Sequence, residues 1–301
     1  ALRTVTYSSS SEDPTSGSAS RTVSWQVTDA NSDGDGAQNS SAVTSTINLT
    51  ASNDTPVATA GATLAYSENG SAAAIDNTIA LSDSDDTQIT AATVTLSSGF
   101  TNGDTLGFTT QNGISGSYNS STGVLTLSGS ATVAQYQSAL RTVTYSSGSE
   151  DPTSTSASRT VSWQVTDANS DGAGAQNSSS VTSTINLTAS NDTPVATAGG
   201  TLAYSEHDSA TAIDSTLTLS DSDDTQITAA TVTISSGLTS GDTLGFTTQN
   251  GISGSYNSGT GVLTLSGTAT VAQYQSALRS VTYINSTDDL TSTSASRTIS
   301  W

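Results

Sequence analysis

The nine residues Ala-Leu-Arg-Thr-Val-Thr-Tyr-Ser-Ser from Ala1 return unchanged at Ala139, and a variant, Ala-Leu-Arg-Ser-Val-Thr-Tyr-Ile-Asn, starts at Ala277. The chain is periodic with a repeat of 138 residues, so whatever folds once must fold again beside it. Residues 1–138 align with 139–276 without a gap, and 16 positions differ, mostly in expected loops and strand ends such as Asn69 and Gly70 against His207 and Asp208. Copies so alike point to a role that depends on the number and length of units rather than on a division of labour. Trp301 matches Trp25 and Trp163, so the chain begins and ends inside a unit, the phase expected of a window on a longer array.

Pro cannot continue a strand ladder, which makes the Asn-Asp-Thr-Pro tetrapeptides at Asn53–Pro56 and Asn191–Pro194 the expected linkers. They divide the chain into the C-terminal part of one repeat (1–56), a complete repeat (57–194) and a repeat lacking its last strands (195–301). Within the complete repeat the apolar period is 2. Val161, Trp163 and Val165 alternate with Ser162, Gln164 and Thr166, and Val181, Ser183, Ile185, Leu187 and Ala189 alternate with polar neighbours. Ala92, Val94 and Leu96 continue the pattern, as do Val143 and Tyr145, and Ile114–Leu127 reads as a hairpin turning at Asn119–Gly123. With apolar residues at 33% and aromatics at 5%, the core must be built from small β-branched and aliphatic side chains. Eight or nine strands in a two-sheet sandwich are expected. Thr132-Val-Ala-Gln135 has the form of a capping box, followed by Val133, Tyr136 and Leu140 at helical spacing. That predicts one short helix per repeat, from about Val133 to Ala139.

A net charge of −20, six Arg and no Lys leave no basic surface for a phosphate backbone, so nucleic acid is excluded as a partner. No Cys is present, which removes disulfides and thiolate metal sites. No apolar run of membrane-spanning length occurs, so this segment is not expected to insert in a membrane. Catalysis is not expected: the single His, His207, is Asn69 in the preceding copy, so no triad recurs through the array. Paired carboxylates for glycoside hydrolysis would need an apolar cleft, and these acids lie in Ser, Asp and Gly loops.

The acids cluster, and the clusters repeat. Asp83, Asp85 and Asp86 recur as Asp221, Asp223 and Asp224 at the end of an apolar strand. Each unit adds a Glu near the top of its first strand, Glu68 or Glu206, and an Asn-Asp pair in the preceding linker, Asn53 and Asp54 or Asn191 and Asp192. Hard cations such as Ca²⁺ take six to eight oxygens in irregular geometry, which such a set supplies. A second cluster, Asp29, Asn31, Asp33 and Gly34, recurs as Asp167, Asn169, Asp171 and Gly172. Its spacing matches the first half of an EF-hand loop, but Ser40 and Ser178 stand where the closing Glu belongs. Both clusters are also what solvated turns are made of. Arg141 and Arg159 are expected to pair with Glu150 or Asp151, and Trp163 and Tyr145 to be core residues.

The Tyr-Ser-Glu-Asn near the start of a unit, the later Asp-Ser-Asp-Asp and the closing Ser-Asn-Asp-Thr-Pro resemble, in that order, the Glu, Asp-x-Asp and linker elements of cadherin-type repeats. Residues 131–165 are similar to the cadherin-like repeats of giant secreted bacterial adhesins of the repeats-in-toxin type. The resemblance implies all-β, tandem Ig/cadherin-like sandwich domains on a bacterial cell surface or in the extracellular matrix. It implies an extender array of a cell-surface adhesin whose partners are neighbouring repeats of the same long chain, with Ca²⁺ at the junctions. Carried over, Asn53, Asp54, Glu68, Asp83 and Asp85 form one junction and Asn191, Asp192, Glu206, Asp221 and Asp223 the next. Ser52 and Ser190 replace the family's first linker Asp, and the mid-domain Asp-Arg-Glu element is missing, which implies fewer ions per junction. The rival reading is a subunit of an extracellular filament or sheath in which identical chains associate laterally or exchange strands. Residues 26–56 carry what the last unit lacks, although residues 1–25 duplicate 277–301.

Overall fold

The computed structural model describes residues 2–169, 172, 174–291 and 294–301. The chain divides into two compact units, Ala1–Ala189 and Ser190–Trp301. In the first, the hairpin β1 (Ser20–Trp25) and β2 (Val43–Asn48) stands as its own two-stranded sheet. The body follows as β3 (Val57–Thr59), β4 (Thr63–Ser67), β5 (Ala73–Ala74), β6 (Ala80–Ser82), β7 (Gln88–Ser98), β8 (Asp104–Gly107), β9 (Ser115–Asn119) and β10 (Val124–Thr132). Helix α1 (Val133–Leu140), β11 (Thr144–Ser147), β12 (Ser158–Asp167) and β13 (Val181–Thr188) complete it.

One sheet has the order β4-β13-β12-β7-β10-β9, the facing one β5-β11-β8, and β3 pairs with β6. The all-β sandwich with one short helix is what the period-2 alternation dictates, since each long strand has one apolar face to bury. Among the described residues the body has eleven strands rather than eight or nine. The additional ones, β3, β5 and β6, are two or three residues long, too short to show alternation. Every pairing is antiparallel except β4 with β13, which is parallel with Ile185 opposite Leu64 and Leu187 opposite Tyr66.

Trp163 and Tyr145 are buried as expected. Tyr66 on β4 meets Tyr145 on β11 edge to face across the sandwich, with centroids 5.0 Å apart. The alternation that buries Val161, Trp163 and Val165 also buries Arg159, the odd residue that begins the series. Its partner is neither Glu150 nor Asp151. Arg159 Nε donates to Asp104 Oδ2 at 2.6 Å, and Tyr145 Oη donates to Asp104 Oδ1 at 2.6 Å. Asp104 begins β8 in the facing sheet, and inward strand positions meet across the core, whereas the loop acids stay near solvent. Arg141 likewise has a different partner: its Nε donates to the carbonyl of Ile79 at 2.8 Å.

Helix α1 begins with the expected capping box, Thr132 and Gln135 each bonding the other's backbone N–H. Tyr136 and Leu140 are buried beneath it. A bulge in β10 lets Gly129, at φ +128°, turn its carbonyl toward the helix, where it accepts Tyr136 Oη at 2.6 Å.

The second unit contains β14 (Val195–Thr197), β15 (Thr211–Ala212), β16 (Thr218–Ser220), β17 (Gln226–Ser236), β18 (Asp242–Gly245), β19 (Ser253–Asn257) and β20 (Val262–Thr270). It continues through α2 (Val271–Arg279), β21 (Thr282–Asn285) and β22 (Thr298–Ser300). The same bonds recur, Arg297 Nε to Asp242 Oδ2 at 2.8 Å and Tyr283 Oη to Asp242 Oδ1.

Asp104→Ala should destabilise the first unit by about 3–5 kcal/mol, because it leaves the Arg159 guanidinium buried without its counter-charge. Replacing both residues by Leu should cost much less. Urea unfolding of the two variants measures this, and a loss below about 1 kcal/mol in Asp104→Ala would mean that Arg159 reaches water.

Candidate metal centre

Strand β6 runs into the acidic loop Asp83-Ser84-Asp85-Asp86, and α1 brackets both ends of that loop. Gln137 Oε1 accepts the N–H of Leu81 at 3.0 Å, Arg141 holds Ile79, and the N–H of Val133 donates to the carbonyl of Thr87 at 3.1 Å. Inside the loop Asp83 Oδ1 accepts the N–H groups of Asp85 and Asp86 at 3.3 and 3.1 Å, an Asx-type turn. The sequence separates Asp167 from this cluster by 80 residues, but the fold brings it in. Asp167 is the last inward residue of β12, and oxygens of Asp83, Asp86 and Asp167 lie within 4.8 Å of one another.

The linker meets this group directly. Asn53 Nδ2 donates to Asp167 Oδ2 at 2.9 Å, and the N–H of Asp54 donates to Asp85 Oδ2 at 2.9 Å. Asp167 is fully buried, and Asp86 and Asn53 are 4% and 7% exposed. Asn53 Oδ1, Asp83 Oδ2 and Asp85 Oδ1 are buried without a hydrogen-bond partner. Uncompensated carboxylate oxygens at such depth are costly. Among the described residues the Arg–Asp ion pairs are Arg159–Asp104 and Arg297–Asp242, and neither reaches the cluster. Burial, reinforced by the neighbouring Asp85, pushes the Asp83 carboxyl up to about 6.

The second unit repeats the geometry in part. The N–H of Asp192 donates to Asp223 Oδ2 at 3.1 Å, and oxygens of Asp221, Asp223 and Asp224 converge within 4.8 Å. No counterpart of Asp167 stands among its described residues. Asp224 is exposed where Asp86 is buried, and Asn191 turns its Nδ2 to the carbonyl of Asp192 at 2.9 Å. The N–H of Asp224 holds the solvated Asp221 below the usual carboxylate range, the reverse of Asp83.

Two expected groupings are corrected. Glu68 does not join Asn53, Asp54, Asp83 and Asp85: its N–H donates to the carbonyl of Thr188 at the C-terminal end of β13, and its carboxylate lies within 4.8 Å of Glu150. Because β13 runs antiparallel to the ten-residue β12, that end is about 30 Å from Asp167. The parallel pairing of β4 is what carries Glu68 there, and alternation alone does not reveal strand direction. Glu206 likewise leaves Asp221 and Asp223, lying exposed beside His207 and Asp288.

The second expected cluster does not gather as an ion loop. Asp29 Oδ1 accepts the N–H groups of Asn31 and Gln38, and Asn31, at φ +48°, accepts the N–H of Gly36 at 2.6 Å. These oxygens close the turn on itself, and Asp33 stays exposed. Asn169 repeats the role of Asn31 by accepting the N–H of Gly174, and Asp171 lies outside the described residues.

A further acid, Asp76, escapes the sequence reading. Burial opposes its ionised form, but Thr78, the N–H groups of Gly61 and Ala62, and Ser183 hold its carboxyl far below the usual range. Donors so complete make it a structural anchor rather than a ligand.

Between about pH 4 and about pH 6 the folded protein keeps a proton on Asp83 that the unfolded chain has released. Stability of the cation-free chain therefore falls as pH rises through that window. The depressed carboxyls of Asp76 and Asp242 act below it, since their contribution is lost only as pH drops under the unfolded value near 3.9. Urea titrations in chelator should show this fall, and Ca²⁺, which takes the ionised form, should abolish it. Stability that climbs steadily across the window in chelator would show Asp83 to be solvated.

No protein-family model and no curated protein matches the chain. Among solved structures it is similar to protocadherin gamma B7 extracellular cadherin domains 1–4, at 13% identity over 84% of this chain and 50% of that one, with a TM-score of 0.27. It is similar also to mouse clustered PcdhgC3 EC1–3, at 13% identity over 84% of this chain and 68% of that one, with a TM-score of 0.27. The chain spans about half the length of the first of these. Scores this low carry no argument, and the all-β assignment rests on the strand pairing.

Proposed function

We propose that this chain is a structural extender of a secreted bacterial cell-surface adhesin, in which Ca²⁺ seated between a linker and the repeat that follows fixes how the chain enters that repeat. The observation that carries the reading is the linker amide of Asn53, buried among Asp83, Asp85, Asp86 and Asp167 with its Oδ1 unserved. The donor set is all oxygen, four carboxylates and an amide, without imidazole or thiolate. That set fits a hard cation, and its irregular arrangement suits Ca²⁺ better than the near-octahedral demand of Mg²⁺. Two carboxylates about 5 Å apart repel by about 3 kcal/mol at an effective dielectric of about 20. A bound cation converts that repulsion into coordination and ties Asn53 and Asp54 to the acidic end of the sandwich. Nothing in this arrangement calls for catalysis, because each acid serves the linker or the loop.

The strand order supports a role under tension. The linker joins the body at the Asp83–Asp167 end, and the chain leaves β13 at the opposite end, beside Glu68. β4 and β13 are adjacent and parallel over five residue pairs, so pulling on the two ends shears that ladder along its length and loads its bonds together. A role outside the cell fits the chain's lack of Cys and its acidic surface. Among the described residues no helix is long and apolar enough to cross a membrane.

Small-angle scattering of the chain in millimolar Ca²⁺ and again in chelator tests the reading. Maximum dimension and stiffness should drop on chelation, and Asp167→Asn should weaken Ca²⁺ binding roughly tenfold or more by calorimetric titration. Coincident scattering profiles would leave the acids as solubilising turns.

A further inference from the structure

The linker residues Asn53 and Asp54 and the acidic loop Asp83–Asp86 belong to different stretches of chain, yet both hang from one small ribbon. Strand β3 begins directly after Pro56, and β6 runs directly into Asp83. The two are antiparallel, with Val57 opposite Ser82, Ala58 opposite Leu81 and Thr59 opposite Ala80. The linker end of β3 therefore abuts the acidic end of β6, where the N–H of Asp54 reaches Asp85 Oδ2. A two-stranded ribbon of three residue pairs does not keep its shape in water by itself. Among the described residues this one joins neither main sheet.

Helix α1 holds it from the other side. The N–H of Leu81 and the carbonyl of Ile79 lie on one edge of β6, because backbone groups two residues apart point the same way. These are the groups that a third strand would pair with. Two helix side chains take them instead: Gln137 Oε1 accepts the Leu81 N–H at 3.0 Å, and Arg141 Nε donates to the Ile79 carbonyl at 2.8 Å. The helix is anchored without help from the acids, by its capping box, by buried Tyr136, Ala139 and Leu140, and by the bond from Tyr136 Oη to Gly129. The second unit has the same brace. Gln275 Oε1 accepts the N–H of Leu219 at 2.9 Å, Arg279 Nε donates to the carbonyl of Leu217 at 2.6 Å, and β14 lies on β16 with Val195 opposite Ser220.

We infer that Gln137, with Arg141 beside it, is a positioning residue for the cation: the helix fixes the ribbon, and the ribbon holds linker and acidic loop at the separation that an ion bridges. The inference rests on the cation of the extender reading and adds that its affinity is set outside the ligand set. With the brace in place the seat is ordered before the ion arrives. Without it the ion must order linker and loop itself, and that entropy is subtracted from the binding free energy.

The test uses the full chain carrying Gln137→Met and Gln275→Met, which removes both acceptors with little change in side-chain volume. A second variant, Gln137→Glu with Gln275→Glu, keeps an oxygen where each acceptor stood. Calorimetric titration of the folded chain with CaCl₂ does not depend on global stability, so a merely structural role would leave it unmoved. The Met variant should bind Ca²⁺ about three- to tenfold more weakly, and the Glu variant no more weakly than wild type. In chelator, hydrogen exchange at the Asp54 amide should quicken in the Met variant and not in the Glu variant. Wild-type affinity or unchanged Asp54 exchange in the Met variant overturns the inference and leaves the extender reading standing, as does equal weakening in both variants. A wild-type chain that takes up no Ca²⁺ overturns both.

Discussion

The Asp104 carboxylate, reaching across from one sheet to Arg159 of the other, is the contact on which the sandwich depends. A core of Val, Ile, Leu and Ala with few aromatics has little shape of its own to fix how two sheets lie over each other, and burial is indifferent to direction. Asp104 supplies direction. It takes Arg159 on one oxygen and Tyr145 on the other, and Tyr145 in turn meets Tyr66. The net energy of a buried ion pair is small, since desolvation cancels most of the attraction, but the penalty for separating it is large. That asymmetry favours one alignment over its neighbours. The second copy keeps the arrangement around Asp242 and strengthens it, with Asn285 in place of Ser147 donating Nδ2 at 2.6 Å. There burial opposes ionisation, yet Arg297, Tyr283 and Asn285 hold the Asp242 carboxyl below its usual range.

Alignment of the sheets then decides where the charges go. The helix is short, yet it is the element that connects core and candidate site. Its buried face seats Tyr136 and Leu140, and its side chains Gln137 and Arg141 reach past its own strand to hold Ile79 and Leu81. The loop that follows therefore cannot drift, and Asp83, Asp85 and Asp86 face the end of β12 at fixed range. Asp167 arrives there because it is the fifth inward residue of a strand whose first is Arg159. The strand that clamps the sheets at one end thus completes the acidic cluster at the other.

Much of this was legible in the residues. Period-2 alternation showed the long strands and the Thr132–Gln135 box showed the helix, because each of these is a local rule. Asp167 was legible too, since it continues the alternation of Val161, Trp163 and Val165, but its turn-like sequence Asp-Ala-Asn-Ser-Asp-Gly drew it into a different cluster. What the sequence did not carry was direction and partner. Nothing local distinguishes a first strand that pairs parallel to the last from one that pairs antiparallel, and that choice sends Glu68 to the far end of the sandwich. The partner of Arg159 lies 55 residues away on the other sheet, while Glu150 and Asp151 are its neighbours in sequence, and proximity in sequence was the weaker guide.

Near-identity of the copies has a physical consequence of its own. A strand that fits its own repeat fits every other, so identical sandwiches in tandem are exposed to exchange wherever a partner strand is out of place. Charge is a poor guard against it, because the strand Val181–Thr188, paired on both sides, carries no acid at all. The protection is steric and covalent: in the complete repeat the strand is delivered by its own chain, at an effective concentration that no second molecule matches.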